Sequence, residues 1–117
     1  MTLASGIKQR CFSEEVLDVA IHFQLTDLGR QLFVWVGSDE GQLSNLYLAG
    51  LPRQGEQVPP VAALMPGGAA CASETFSQRL AARFRKPVSC SLNVPQNLPH
   101  MQELIEKRVV EALMEMM

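Results

Sequence analysis

Residues 31–37 read QLFVWVG, and the fold turns on what covers this stretch. As a strand, its side chains alternate between faces, so Phe33 and Trp35 point to one side while Leu32, Val34 and Val36 point to the other. Both faces are apolar, and such a strand requires cover on both. Burying a Val, Leu or Phe side chain fully is worth roughly 1.5–3 kcal/mol, so one bare face would forfeit several kcal/mol of a net stability of only about 5–15. The cover comes from this chain or from a partner.

At 117 residues the sequence is read as one domain, 1–117. That is enough for a single core, but short for a two-layer structure that also shields the back of its own sheet. Hydrophobic residues make up 47% of the chain and charged residues 19%, which excludes wholesale disorder, and a net charge of -2 offers no overall attraction for nucleic acid or anionic lipid. No stretch reads as a signal peptide or membrane span, so the expected location is cytoplasmic, with access to the nucleus, and neither nucleic acid nor membrane is expected as a partner. Three cysteines, Cys11, Cys71 and Cys90, without CxxC spacing, argue against a disulfide framework or a zinc site and read as reduced thiols.

Outward from QLFVWVG, residues 19–26 alternate cleanly, with Val19, Ile21, Phe23 and Leu25 opposite Ala20, His22, Gln24 and Thr26. The intervening TDLGR suits a turn, so the two strands form an antiparallel hairpin. Residues 37–41, GSDEG, predict the next turn, and residues 43–51, LSNLYLAGL, a third strand with Gly50 at a bulge, completing a three-stranded meander. Residues 61–65, VAALM, form a short strand within a long Gly- and Pro-punctuated connection.

A helix is predicted from Ser73 as N-cap, with Phe76, Leu80 and Phe84 on one face and Lys86-Pro87 as its stop. Residues 88–94, VSCSLNV, alternate again, with Ser89 and Ser91 on the polar side. A last helix, capped by Asn97 with Pro99 in its first turn, carries the stripe Met101, Leu104, Ile105, Val109, Ala112, Leu113 and Met116. The fold class is therefore α+β: an antiparallel sheet of about five to six strands with two helices packed on one face.

Motifs for chemistry are sparse. His22 lies mid-strand and His100 at a helix start, neither in a catalytic pattern; a thiol or serine enzyme would have to pair His22 with Cys90 or Ser91. PGGAACASE lacks the glycine spacing and the lysine of a phosphate loop, and no ligand spacing for a metal occurs, so no cofactor is expected. The segment RLAARFRK places Arg79 and Arg83 on or near the exposed side of the first helix. A solvated face is the simpler reading, and a ridge that steers toward an acidic partner surface is the alternative. Trp35 is core, or one of the aromatic anchors that interfaces favour.

The runs FSEEVLDVAIHFQLTDLGRQLFVWVG, LSNLYLAG, FSQRLAARFRKPVSCSLNVPQN and LIEKRVVEAL resemble, in content, order and spacing over residues 12–114, the proteasome assembly chaperone 4 family. The most specific pieces are HF-x-L-T-D-x(4)-LFVWVG and the helix leading into the Pro87 strand, while residues 52–72 depart from the pattern. The resemblance implies a non-enzymatic chaperone that pairs with assembly chaperone 3, or with itself when isolated, and helps the α-type subunits form the ring of the 20S proteasome. It also implies that the sheets of two subunits stack. Candidate interface residues are His22, Gln24, Ser89 and Ser91 on the mixed sheet face, Val34 or Trp35 according to the strand's register, and Arg79 and Arg83 on the helix.

Overall fold

The computed structural model describes residues 7–38, 46–52, 55, 58–65, 72–93 and 100–116. Its elements are β1 (Lys8–Val16), β2 (Val19–Asp27), β3 (Leu32–Gly37), β4 (Leu46–Ala49), β5 (Val61–Met65), α1 (Ala72–Phe84), β6 (Val88–Asn93) and α2 (Met101–Met116). The strands form one open six-stranded sheet in the order β1-β2-β3-β6-β4-β5, with both helices on one face, the α+β architecture expected.

The hairpin read from TDLGR is present. β2 and β3 pair antiparallel from His22↔Gly37 to Asp27↔Leu32. In the turn the Asp27 carboxylate accepts the Gly29 N–H at 2.9 Å, and Gly29 takes a φ of +92° that a side chain would strain. The Asp27 carboxylate also receives Lys86 Nζ at 3.2 Å, so the hairpin turn and the segment that follows α1 are tied at one point.

The expected meander over the second, third and fourth strands is corrected. β4 does not pair with β3, because β6 lies between them, parallel to β3 and antiparallel to β4. The physical reason is burial: Val88 and Cys90 are 0% and Leu92 2% exposed, so β6 belongs at the centre, where helices cover it and neighbours flank it on both sides. The meander is instead β1-β2-β3. β1 was not predicted as a strand; it joins β2 through a two-residue turn in which Leu17 (φ 51°) and Asp18 (φ 66°) are both left-handed, the geometry of a type I′ hairpin without its usual Asn-Gly. The irregular pairing in β4 falls between Leu46 and Tyr47 rather than at Gly50.

Both helices pack on the face made by Ile21, Phe23, Leu25, Leu32, Val34, Val36 and the apolar side of β6, with Phe76, Leu80, Ile105, Val109 and Leu113 buried against them. α1 covers β4, β5 and β6, and α2 covers β1 and β2. Ser73 is not the N-cap. It lies one residue inside α1, 1% exposed, where its Oγ accepts the Leu92 N–H at 2.9 Å and locks helix to strand. Arg85 closes α1 in a left-handed conformation, its N–H donating to the Ala81 carbonyl, before Pro87 prevents continuation. Leu104, placed in the apolar stripe of α2, is 43% exposed. The turn at 39–41, the start of the third strand at 43–45, Cys71, Val94, Asn97 and Pro99 lie outside the described residues.

Candidate partner-binding face

Period-two alternation hands the other side of the sheet to the residues between the core positions, and the strand register arranges most of them in three rows, with the exposed Glu15 and Ala20 paired beyond the third row, next to the β1–β2 turn. One row runs Gln9, Thr26, Phe33, Ser89, Leu48, Ala62; the next Cys11, Gln24, Trp35, Ser91, Leu46; the third Ser13, His22, Gly37, Asn93. Phe33, Trp35, Leu46 and Leu48 sit half-buried at the middle of these rows. The small serines of β6 lie in register between the aromatic residues of β3 and the leucines of β4. Not one residue of the three rows is Asp, Glu, Lys or Arg.

A sheet face meant for water carries charges at such positions, whereas the buried centre of an interface is depleted of them and enriched in aromatic residues. Two pairs of polar groups are matched within the face: Ser13 Oγ lies 2.7 Å from His22 Nδ1, one donating to the other according to the tautomer, and Asn93 Nδ2 donates to Ser91 Oγ at 2.8 Å. These side chains are held in place and require little reordering on contact with another surface.

The candidates read from the sequence thus fall in three places. His22, Gln24, Trp35, Ser89 and Ser91 share the helix-free face by register, with Ser91 itself 0% exposed among its neighbours there. Val34 is 0% exposed beneath the helices and is corrected from interface candidate to core residue; the register puts Trp35, not Val34, outward. Arg79 and Arg83 lie on α1, on the opposite side of the molecule. Arg79 is paired with Glu106 of α2, and Arg83 Nη2 contacts Met114 Sδ at 3.5 Å. Sequence reasoning missed Phe33, Leu46 and Leu48 as members of the face; the apolar side chains at odd positions of β3 were the available signal, but β4 could be added only once its pairing with β6 was known.

The pairings that a thiol or serine enzyme would need are not formed. Cys90 points into the core, and burial, aided by the nearby Glu106 carboxylate, pushes its thiol well above the ordinary range, so it is no thiolate at neutral pH. Ser91 is two strands from His22 and in a different row, roughly 10 Å or more away at the usual strand spacing. The serine that meets His22 is Ser13 of β1. Among the described residues no group of three or more His, Cys, Asp or Glu is placed to hold a metal, and no helix is long and apolar enough to cross a membrane.

The fold and this face define a small α+β protein whose sheet carries helices on one side and, on the other, an aromatic-centred face with Glu15 as its charged residue at one corner. The family model for proteasome assembly chaperone 4 matches residues 20–94, from β2 to the end of β6, and the chain belongs to that family. Human and mouse proteasome assembly chaperone 4 are each 29% identical to it over 102 residues, covering 87% of this chain and 81% of the relative. The fold is shared with a chain in the crystal structure of a chaperone complex for yeast 20S proteasome assembly. That match has a TM-score of 0.71 at 15% identity and covers 93% of this chain and 96% of the other.

Proposed function

We propose that this protein is a non-enzymatic chaperone of 20S proteasome assembly that pairs with assembly chaperone 3 through its helix-free sheet face. The pair promotes formation of the α-type subunit ring, in the cytoplasm and the nucleus. The observation that carries the reading is the set of three uncharged rows centred on Phe33 and Trp35. Stacking a partner sheet there gives β3 the second cover its composition demands, in the aligned packing that two twisted sheets adopt. Membership of the assembly chaperone family supplies the biological setting. Face-to-face pairing of two related sheets leaves the helices of each outward and available to clients.

Co-expression with assembly chaperone 3, followed by size-exclusion chromatography with mass determination, tests it. The expected species is a one-to-one heterodimer, with a weaker homodimer of the isolated chain at high concentration. A chain that remains monomeric in both settings would sink the proposal.

A further inference from the structure

The net charge of -2 conceals a separation of charge along the strands. The sheet register brings the ends of β2 and β4 and the starts of β3 and β6 to one end of the molecule, where α1 also finishes. The turn before β3 and the segment before β6 touch there, Leu32 N–H donating to the Pro87 carbonyl at 2.9 Å. The turn carries Arg30 and the segment carries Arg85 and Lys86, with no carboxylate in either. Glu15, Asp18, Glu74 and Glu103 lie at the opposite end, at the β1–β2 turn and in the first turns of the two helices.

Structural demands account for only part of this basic end. Lys86 neutralises Asp27 at 3.2 Å, and Lys8 Nζ donates to the Met116 carbonyl. Glu115, which α2 brings to the same end, is held by Arg10 and Arg108. Arg83 answers the dipole of α1 from its last turn. Arg30 on the hairpin turn and Arg85 beyond the last turn of α1 are both exposed, and neither has an ion-pair partner among the described residues. The end therefore presents two free guanidinium groups and, among the described residues, no free carboxylate to balance them. Two large apolar side chains accompany them: Leu28, 40% exposed in the turn of Arg30, and Leu51, 45% exposed just beyond β4, whose Ala49 pairs with Val88.

We infer that this end of the molecule is a second docking surface, which receives an acidic segment of the proteasome subunit under assembly; the inference rests on the chaperone reading above. The segment's carboxylates take Arg30 and Arg85, and its apolar side chains rest on Leu28 and Leu51. Arginine at both unpaired positions suits bidentate capture of carboxylates, which lysine cannot give. The net charge of -2 disfavours a long polyanion such as RNA, whose remaining phosphates would meet a net anionic protein.

The test uses the co-expressed chaperone pair and individual α-type subunits, comparing wild type with Arg30→Gln/Arg85→Gln and with Lys107→Glu, which makes the same change in net charge on the exposed side of α2. All three substituted side chains are exposed, so folding is retained, as circular dichroism verifies. The expected result is about tenfold weaker subunit binding for the double arginine variant, with a shallower salt dependence of its association rate, and a change of less than about twofold for Lys107→Glu. Unchanged subunit affinity in the arginine variant overturns the inference, as does an equal loss in Lys107→Glu, which would reduce the effect to net charge. Loss of chaperone 3 pairing in the arginine variant overturns it too, by making this end part of that interface, and so does an RNA oligonucleotide that displaces the subunit from wild type. A wild-type chain that binds a subunit through Arg30 and Arg85 yet fails to pair with chaperone 3 would overturn the earlier reading alone.

Discussion

Two neighbours on β3 have opposite fates, and they can be separated by experiment. Val34 is 0% exposed in the core, so Val34→Ala should lower stability by about 2 kcal/mol in urea unfolding while leaving co-purification with the partner intact. Trp35 stands on the outer face, so Trp35→Asp should abolish pairing, a loss of about 30-fold or more in affinity, with the circular dichroism of the folded chain retained. The buried Cys90 makes a different prediction. Its folded pKa is raised, so above about pH 8.5 the unfolded chain loses a thiol proton that the folded chain keeps, and stability falls with rising pH by up to about 1.4 kcal/mol per unit. Urea midpoints between pH 8 and 9.5 should show this slope in wild type and a shallower one in Cys90→Ala. In labelling experiments the exposed Cys11 should react with iodoacetamide in the native state, and Cys90 only on unfolding.

At the scale of elements, α2 is clamped to the edge of the sheet by polar contacts. Arg108 Nε donates to Glu14 at 2.8 Å, its guanidinium lies 4.9 Å from the centroid of the Phe12 ring, and Phe12 in turn stacks on Phe23 at 4.6 Å. Arg10 reaches Glu115, and Lys8 Nζ donates to the Met116 carbonyl. Arg108→Ala should therefore loosen β1, costing about 1–2 kcal/mol and raising hydrogen exchange in residues 8–16 more than in β6. The same arrangement explains why β1 escaped sequence reading. Its inner face is Lys8, Arg10, Phe12, Glu14 and Val16, polar groups whose partners arrive from a helix about a hundred residues later, so no apolar period marks it. Ser73 illustrates the converse: its local context reads as a cap, and a buried tertiary hydrogen bond recruits it instead.

The whole molecule is an open sheet with helices on one face and none on the other. On the proposed pairing, a partner that covers the helix-free face binds only the folded chain, so adding assembly chaperone 3 should raise the melting temperature, with a gain of about 1.4 kcal/mol for each tenfold increase in partner concentration beyond Kd. A melting temperature that ignores the partner would remove the pairing reading.

Residue periodicity alone determined β2, β3, the β2–β3 turn, β4, β5, β6 and the two helices, because amphipathic patterns and turn residues act over a few positions. It also determined that β3 needs two covers. Tertiary structure decided the rest: that β6 inserts between β3 and β4, that polar β1 joins the sheet, and that Trp35 rather than Val34 faces outward. Strand order and facing depend on pairings between distant residues, and a shift of one residue in register exchanges the two faces of a strand that is apolar on both.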